Sequence, residues 1–405
     1  MRHPTPWILC LLCPVLLAED WPEFRGPTGQ GHSAEQGLPV EWSEEKNVAW
    51  KVPIPGRGWS SPVLQDRRMW LTTALDQGKS LRLMSLDPKD GATLQDLEVF
   101  HLENPGPIHA KNSHASPTPL LQGNRIYVHF GSHGTAGLST EGKLIWKTRL
   151  EYAQGHGPAG SPVLYRDLLI LSCDGTDIQY MVALDKNTGE IRWKRFRQGR
   201  TAYSTPLVIE ANGRAQVVST GGDSVVSYEP VTGSKLWWLS YDGDSNVPRP
   251  VFGLGNVFII SGYTSPILFA IRPTGSGDIE KTHVAWSTRR AVPLNPSPLL
   301  VGKNLYLVSD KGIASCLDAE NGSLHWRERL GGNFSASPIY ADGKIYFLNE
   351  EGLTTVIAHG ITFRKLATNQ LEGRTQASVA VSGLAIYLRS EHHLYRLEKL
   401  VEEVD

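Results

Sequence analysis

Polar, aromatic and cationic side chains recur at one place along this chain, in short segments that each precede an apolar run opened by proline. Acidic residues are almost absent from the set. Brought together, such side chains would bind an anionic or polar ligand, or an acidic segment of a partner protein. The alternative is that they only line a water-filled channel. The residues are Arg57, Trp59, Lys111, Asn112, His114, His156, Arg200, Tyr203, Asn246, Arg249, Asn295, Asn333 and Arg374.

Histidines are concentrated in one part of the chain, in and just after a loop that contains Pro and Gly, His101–His114. A metal site needs converging ligands, commonly including histidine nitrogen. The spacing of these histidines matches no zinc pattern, so we expect loop or core histidines and assign no metal ligand. The loop could instead cover a site or contact a partner. The histidines are His101, His109, His114, His129 and His133.

Other motifs for metal binding or catalysis are incomplete. Asp242–Asn246 (DGDSN) resembles the start of a calcium-binding loop. Val247 and Gly253, however, stand where such a loop needs glycine and glutamate, so we expect a polar turn. The sequence contains no GxSxG, P-loop or CxxCH motif, and we assign no catalytic residue.

The composition indicates an all-β globular protein. The 405 residues carry a formal net charge of −1, which points to neither nucleic acid nor an anionic membrane as a partner. Glycine (40) and tryptophan (12) are abundant. Short β-branched or aromatic runs are bounded by Gly, Asp, Asn and Pro, as is typical of strands and turns.

The apolar runs form an internal repeat in which a small residue and a proline open a strand. After a first interval of 57 residues, the copies follow one another at 40–48 residues. A period in the low forties in an all-β chain is typical of a β-propeller with four-stranded antiparallel blades, and eight copies predict eight blades. The copies are marked by Pro62, Pro119, Pro162, Pro206, Pro250, Pro298 and Pro338, with Ser378 in the proline's place in the last.

Tryptophans recur at an equivalent place in the last strand of the repeat, in most cases four residues after a turn glycine. The twist of a sheet leaves wedge-shaped gaps between blades, and a large flat ring that fills such a gap buries roughly 150–250 Å². We therefore expect a structural role between blades for Trp50, Trp146, Trp193, Trp237, Trp286 and Trp326.

The two ends of the repeat region complement each other. The last unit ends after three strands, near His392–Leu400, whereas Asn47–Ile54 has the spacing of a fourth strand and belongs to no other unit. We predict that this N-terminal strand completes the C-terminal blade, which closes the ring and removes an exposed edge.

The hairpin ALDKNTGEIRW resembles the tryptophan-docking pattern of the quinoprotein dehydrogenases at Ala183, Asp185, Thr188, Gly189 and Trp193. The repeat, over residues 47–400, is similar to the wider family of propellers related to those that bind pyrroloquinoline quinone (PQQ). The resemblance implies three roles. One is a dehydrogenase that uses PQQ and calcium. Another is a scaffold like the propeller subunit of the outer-membrane barrel assembly machinery. The third is an exported propeller of unassigned role, common among bacterial proteins that begin, as here, with WPEFRGPTGQG.

The dehydrogenase role requires quinone-stacking and calcium-binding residues that we do not identify in this sequence. Those enzymes stack the quinone between a tryptophan and a disulfide of adjacent cysteines, although some relatives lack the disulfide. Cys173 and Cys316 lie in different repeats, and we expect them to be packing residues. Calcium needs hard oxygen ligands, and no residue matches the family's calcium ligands. We expect no cofactor, with PQQ and calcium as the alternative.

The N-terminus resembles a secretory signal. Arg2 and His3 precede the apolar stretch Trp7–Ala18, which is too short to span a bilayer. We expect a signal peptide over residues 1–18, with lipidation at Cys10 or Cys13 as a less favoured alternative. Residues 19–46 should form an arm packed on the propeller, and residues 401–405 a tail.

Together these observations predict an exported, periplasmic or extracellular, monomeric propeller without catalysis of its own. It would act as a binding or assembly scaffold through the loops around one mouth of the central channel. Its partner would be a protein or a polar or anionic small ligand, and we expect no nucleic acid partner and no transmembrane segment. A PQQ- and calcium-dependent dehydrogenase is the first alternative, and a hydrolase or lyase at the same mouth is the second.

Overall fold

The computed structural model describes residues 18–263 and 265–400. The expected signal peptide, apart from Ala18, and the expected tail 401–405 lie outside these residues. The described chain forms eight sheets, each a blade with four antiparallel strands ordered from the channel outwards, and in seven of them these four strands follow one another along the chain. The prediction of an all-β, eight-bladed propeller is confirmed.

The first four blades follow one another along the chain. From the inner to the outer strand they are blade 1, Val63–Gln65, Arg68–Leu75, Ser80–Leu86 and Thr93–His101; blade 2, Leu120–Gln122, Arg125–His129, Thr135–Ser139 and Leu144–Thr148; blade 3, Val163–Tyr165, Leu168–Asp174, Gln179–Asp185 and Ile191–Arg197; blade 4, Leu207–Ala211, Arg214–Thr220, Ser224–Tyr228 and Lys235–Ser240.

The last four blades complete the ring. They are blade 5, Val251–Gly253, Asn256–Ile260, Leu268–Ile271 and Val284–Thr288; blade 6, Leu299–Val301, Asn304–Val308, Ile313–Asp318 and Leu324–Arg329; blade 7, Ile339–Ala341, Lys344–Leu348, Leu353–Ala358 and Lys365–Gln370; blade 8, Ala380–Ser382, Ala385–Arg389, His393–Leu397 and Val48–Pro53. A short strand, Gly277–Asp278, adds to the outer edge of blade 4, and 3-10 turns lie at Asp76–Gly78 and Gly131–His133.

The ring closes as the sequence predicts. Val48–Pro53 pairs antiparallel with His393–Leu397, so that Lys51 lies opposite Tyr395. The outer strand of blade 8 thus comes from the N-terminal side of the chain. This pairing ties the two ends of the propeller together and leaves no three-stranded blade with an open edge.

The eighth copy of the repeat lies one residue later than the sequence marks suggest. The inner strand of blade 7 begins at Ile339, directly after Pro338, and that of blade 8 begins at Ala380, directly after Val379. Val379 therefore takes the proline's place, and Ser378 is equivalent to Ser337. A hydrogen bond agrees with this register, because the Ser337 amide donates to Ser378 Oγ (2.9 Å).

A ring of hydroxyl groups joins neighbouring blades at the residue before each proline. The backbone N–H of this residue donates to the hydroxyl of the equivalent residue in the next blade, so that a buried donor finds an acceptor. The six bonds are Ser61 to Thr118 (3.0 Å), Thr118 to Ser161 (3.0 Å), Ser161 to Thr205 (2.9 Å), Arg249 to Ser297 (3.0 Å), Ser297 to Ser337 (3.0 Å) and Ser337 to Ser378 (2.9 Å). At the other two junctions a buried arginine bonds across instead. Arg249 Nε donates to the Pro206 carbonyl and Arg389 Nη1 to the Ser60 carbonyl.

Five of the repeated tryptophans donate their indole N–H to a carbonyl in the outer turn of the next blade. The pairs are Trp50 with Pro88 (3.1 Å), Trp146 with Lys186 (2.9 Å), Trp193 with Pro230 (2.9 Å), Trp286 with Ala319 (3.0 Å) and Trp326 with Gly360 (3.2 Å). Glycine is required at the turn position Gly233, because its φ is +68° and a Cβ there would lie 2.6 Å from the Trp193 ring. The rings thus bridge neighbouring blades and bond to them.

Trp237 departs from this pattern because blade 5 carries an insertion in place of the short turn. Its indole donates to Gln216 Oε1 (2.7 Å), and Gln216 Nε2 donates in turn to the Pro273 carbonyl of blade 5 (2.8 Å). A side-chain amide therefore relays the contact that the backbone makes directly at the other junctions.

The N-terminal arm enters the central channel. Trp21 exchanges two backbone hydrogen bonds with Leu64, and the amide of Leu121 donates to the Pro22 carbonyl (2.8 Å). Across the channel, the Tyr340 amide donates to the Gly31 carbonyl (2.8 Å). Each of these partners is the middle residue of an inner strand, whose free edge faces the axis, so the arm occupies the axis between blades 1, 2 and 7.

The arm then leaves the channel between blades 7 and 8. Tyr346 donates to the Pro39 carbonyl (3.3 Å), and Asn369 bonds both the Val40 carbonyl (2.9 Å) and the Trp42 amide (3.0 Å). This path leads directly into the outer strand of blade 8. Among the described residues, no helix has the length and apolar character needed to cross a membrane.

Candidate functional site

The residues expected at the mouth belong to one face of the ring, where each outer strand leads to the inner strand of the next blade. We call it the mouth face. Residues 102–114, the mouth loop, connect blade 1 to blade 2 and extend across this face. Arg57 Nη2 donates to the Ala110 carbonyl (2.6 Å). Asn112 Nδ2 donates to the carbonyls of His156 (2.7 Å) and Pro158 (3.1 Å).

An ion pair fastens the mouth loop to blade 7. Lys111 Nζ lies 2.7 Å from Glu350 Oε1, in the turn between the second and third strands of blade 7. Glu350 has a side chain that is only 10% exposed, and it also accepts from Ser335 Oγ (2.6 Å). Lys111 contacts blade 7, whereas the next residue, Asn112, contacts the segment that enters blade 3, on the opposite side of an eight-bladed ring, so the loop crosses the channel opening. The arm occupies the axis of the same channel.

The histidines of this region do not converge on a metal site. His109 packs against His156 (5.2 Å between ring centroids), and His114 against His133 (5.9 Å). His129 is buried, with Nδ1 2.8 Å from Thr135 Oγ1, and burial lowers its pKa to about 3. Residues 18–263 and 265–400 contain no group of three or more His, Cys, Asp or Glu that could hold a metal ion.

Burial and neighbouring charge also keep His133 uncharged. Burial, with the proximity of His114 and Arg149, lowers the pKa of His133 to about 4. It lies on an open surface cleft lined also by His101, Leu102, Glu103, Asn104, Ser132 and Arg149. The histidines at 129 and 133 are therefore neutral packing residues near neutral pH.

The remaining residues of the expected set are distributed around the ring. Arg200 is exposed and lies 3.4 Å from Asp242, and Tyr203 packs on His156 (5.7 Å between ring centroids). Asn295 donates to Asp310. Asn333 is half-buried, with its amide N–H directed at Glu351 (3.3 Å).

Four residues of the set are buried rather than displayed: Trp59 (7% exposed), His114 (6%), Asn246 and Arg249. Asn246 is 0% exposed, and its Nδ2 donates to the Ile260 carbonyl (2.6 Å). Arg249 is 2% exposed and lies against the arm, where Nη1 donates to the Phe24 carbonyl (2.6 Å) and Nη2 pairs with Glu23 (3.2 Å). Arg249 thus anchors the arm to blade 5 instead of facing an open mouth.

Four residues that the sequence patterns did not indicate are important here. Glu350 fixes the mouth loop, and Arg389 lies buried at the end of the second strand of blade 8, where it bonds Ser60 and Thr72 of blade 1. Asp174 and Arg197 form a buried ion pair between two strands of blade 3. The sequence does contain a hint of Glu350 and Asp174, since each is an acidic residue that ends an apolar strand or follows one. Their roles depend on partners that lie on other elements, which the sequence pattern does not identify.

A small polar cavity lies beside this buried pair. Its volume of about 20 Å³ suits one water molecule. The lining includes His129, Ser172, Asp174 and Tyr203. The cavity is too small for an organic cofactor.

The side chains at the mouth do not fit PQQ with calcium. Cys173 and Cys316 are free and buried in blades 3 and 6, and burial raises the pKa of both thiols, that of Cys316 to about 12. The carboxylate of Glu350 is taken by Lys111 and Ser335, and that of Asp174 by Arg197. The mouth loop and the arm occupy the axis, where a flat ring would have to stack.

Comparison with solved structures shows the same fold in proteins of different activity. BamB from Moraxella catarrhalis is 12% identical, with 87% of this chain and 99% of that chain covered and a TM-score of 0.62. A europium-containing methanol dehydrogenase is 10% identical (92% and 90% covered, TM-score 0.70). Quinohemoprotein alcohol dehydrogenase from Comamonas testosteroni is 11% identical (93% and 80% covered, TM-score 0.70). At such identities the likeness concerns the fold alone.

No curated protein matches the sequence. The family described as outer membrane protein assembly factor BamB matches in three overlapping segments, residues 33–175, 109–314 and 283–391. These segments cover well over half of the chain and include strands of all eight blades. The chain therefore belongs to this family of PQQ-like β-propellers.

Proposed function

We propose that this protein is an exported, non-catalytic scaffold that binds a protein partner through its mouth face. The observation that carries the proposal is the filled channel. The arm occupies the axis, and the mouth loop, held by Lys111 and Glu350, crosses the channel opening. The groups left accessible are therefore on the surface of the mouth face rather than in a deep pocket.

The accessible groups suit a polar or acidic partner surface. His156 and Arg200 are exposed, as is Lys111, whereas Asn112 and Asn333 are half-buried. Such a rim provides hydrogen-bond donors for the polar or acidic groups of a partner, and its two cations, Lys111 and Arg200, are paired with Glu350 and Asp242. The BamB structure among the similar folds is consistent with a scaffold role.

Export and a monomeric state are parts of the same proposal. Export rests on the apolar stretch Trp7–Ala18, nearly all of which lies outside the described residues. Two alternatives remain as outcomes of experiment: a dehydrogenase that uses PQQ and calcium, and a hydrolase or lyase at the same face. No contact in the described chain favours either.

Site-specific photo-crosslinking tests the scaffold role. A photoreactive amino acid is placed at His156 or at Asn333 on the mouth face, and at Asn212, in an exposed turn on the opposite face, as the control. We expect discrete adducts in the native cells from the two mouth positions and none from Asn212. Adducts from Asn212 alone, or from none of the positions, would contradict the proposal.

A titration with calcium and PQQ separates the scaffold from the dehydrogenase. We expect no saturable binding by the purified protein. Binding at one equivalent, with a melting temperature that rises with ligand concentration, would contradict the scaffold proposal and support a quinone-dependent enzyme.

A further inference from the structure

One corner of the mouth face, at the junction of blades 8 and 1, contains buried N–H donors that have no acceptor among residues 18–263 and 265–400. Arg389 is 1% exposed, and its Nη1 donates to the Ser60 carbonyl (3.1 Å), Ser60 Oγ (2.8 Å) and the Thr72 carbonyl (2.9 Å). Its Nε is buried without a partner in the described chain.

The loop that packs on Arg389 has two further donors of this kind. Gly58 lies against the guanidinium, since a Cβ on Gly58 would be 2.5 Å from Arg389 Nη2. The residues on either side of Gly58 are Arg57 and Trp59, and both Arg57 Nε and Trp59 Nε1 are buried without an acceptor among the described residues. Unpaired buried donors are rare in native proteins and cost about 1–3 kcal/mol each, so three from neighbouring residues indicate a missing acceptor.

The same corner has an excess of positive charge. The guanidinium carbon of Arg374 lies 5.9 Å from the centroid of the Trp59 ring. The ion pairs found within residues 18–263 and 265–400 include none of Arg57, Arg374 and Arg389. The carboxylate of Glu350, in the adjacent turn of blade 7, is already bound by Lys111 and Ser335.

Burial without a counter-ion is unfavourable for a guanidinium. Burial alone lowers the pKa of Arg389 to about 9. By contrast, the equally buried Arg197 in blade 3 is paired with Asp174. Buried charges in proteins are normally paired. Arg25 of the arm is likewise buried outside the ion pairs of the described residues, but only Arg389 lies at the mouth face next to other donors without an acceptor, on Arg57 and Trp59.

We infer that Arg57, Trp59, Arg374 and Arg389, the oxyanion corner, bind an oxyanion, that is, a carboxylate or a phosphate group. Guanidinium groups present paired N–H donors that match the two oxygens of such groups, and the indole N–H adds a third direction. The inference rests on the proposed function in one respect: the acidic segment of a protein partner would supply the carboxylate. A free phosphate ion is the other source of the same chemistry.

Occupancy of the corner is coupled to the mouth loop. Arg57 Nη2 already donates to the Ala110 carbonyl of that loop (2.6 Å). An oxyanion that binds the Arg57 guanidinium competes with the Ala110 carbonyl for its N–H groups. Ligand binding therefore changes the rate at which the amides of the mouth loop exchange hydrogen with solvent. This provides a readout at a defined place in the chain.

Calorimetric titration of the full mature chain tests the inference. The probes are inorganic phosphate and a hexaglutamate peptide, at constant ionic strength. Two variants remove donors while preserving shape, Trp59→Phe and Arg374→Gln. Arg327→Gln, at an exposed position on the outer strand of blade 6, is the control with the same change of charge.

We expect saturable binding of at least one probe and a loss of tenfold or more in affinity in each of the two corner variants, with wild-type affinity in Arg327→Gln. Binding of the peptide but not of phosphate identifies a partner's carboxylates as the source, and binding of phosphate alone identifies a small ion. Absence of saturable binding of both probes, or equal affinity in Arg374→Gln and Arg327→Gln, overturns the inference.

The outcome of the crosslinking experiment at His156 and Asn333 is independent of the outcome of the oxyanion titration. Adducts at those positions together with no oxyanion binding would support the scaffold function and refute the oxyanion corner. Oxyanion binding without adducts would support the oxyanion corner and refute the scaffold function.

Discussion

The hydroxyl ring around the channel permits a matched test of one hydrogen bond in a repeated setting. Ser161 precedes Pro162 and is 4% exposed, and its Oγ accepts the amide of Thr118 in the preceding blade (3.0 Å). Ser61 is the equivalent residue of blade 1 and is 1% exposed, but its hydroxyl has no partner within the described chain. The same substitution at the two sites therefore removes a bond in one case and none in the other.

Ser161→Ala leaves the buried N–H of Thr118 without an acceptor, which costs about 1–3 kcal/mol of unfolding free energy. Ser61→Ala removes a hydroxyl that is buried and unsatisfied, so its cost is about zero, or the change stabilises the protein. Both changes remove one oxygen from a buried pre-proline position, so transfer and cavity effects cancel in the comparison. We expect Ser161→Ala to be at least about 1 kcal/mol less stable than Ser61→Ala.

Equilibrium urea unfolding, followed by tryptophan fluorescence, measures both variants against the wild type, with the slope of the transition compared as well as its midpoint. Equal losses in the two variants would refute the reasoning, because the hydroxyl would then contribute only packing. A change in slope for Ser161→Ala would indicate that a blade has separated, so that two-state unfolding no longer holds.

Three further predictions concern the blade contacts, the mouth loop and pH. Trp193→Ala should cost about 3–5 kcal/mol of stability by opening the gap between blades 3 and 4, whereas Phe196→Ala, at a side chain that is 62% exposed, should change it by less than about 0.5 kcal/mol. Lys111→Gln should accelerate hydrogen exchange in the mouth loop and lower global stability by about 1–3 kcal/mol, because Glu350, whose side chain is only 10% exposed, loses one of its two donors, with a smaller effect at high salt. Wild-type protein that exchanges as fast as the variant would show that the ion pair does not hold the loop. Burial holds the pKa of His129 near 3 in the folded protein, against 6.5 in the unfolded chain. Below pH 6.5 the unfolded chain therefore binds a proton that the folded protein does not, so the free energy of unfolding is highest above pH 6.5 and decreases as the pH falls towards 3. The loss should reach about 2 kcal/mol at pH 5, and His129→Asn should reduce the stability difference between pH 7.5 and pH 5 by that amount, whereas the exposed control His325→Asn should not.

The fold was accessible from the sequence because each blade is a local unit. The strands of one blade are consecutive in sequence, so period, turn residues and the terminal tryptophan could be read within about forty residues. Ring closure was also predictable, since a surplus strand before the first unit matched a missing strand after the last. The register of the eighth copy was not, because Val379 replaces the proline that marks the other seven.

The candidate site was predictable only in part. The position of the mouth residues follows from the repeat, and the contacts of Arg57, Lys111, Asn112 and His156 with or within the mouth loop lie where the segments before the prolines should meet. The sequence did not indicate that Arg249 turns inward to the arm. A residue's place in the repeat determines its face of the ring, but burial depends on what else enters the channel.

The sequence by itself determined the class of fold, the number of blades and the closure of the ring, because these depend on hydrophobic periodicity and turn chemistry, which act over short stretches of chain. Only the tertiary structure decided what fills the axis and which charges are paired. The partners involved are far apart in sequence: Trp21 with Leu64, Lys111 with Glu350, and Arg389 with Ser60. Contacts of this kind depend on how eight blades and an arm occupy the same space, and no local pattern encodes them.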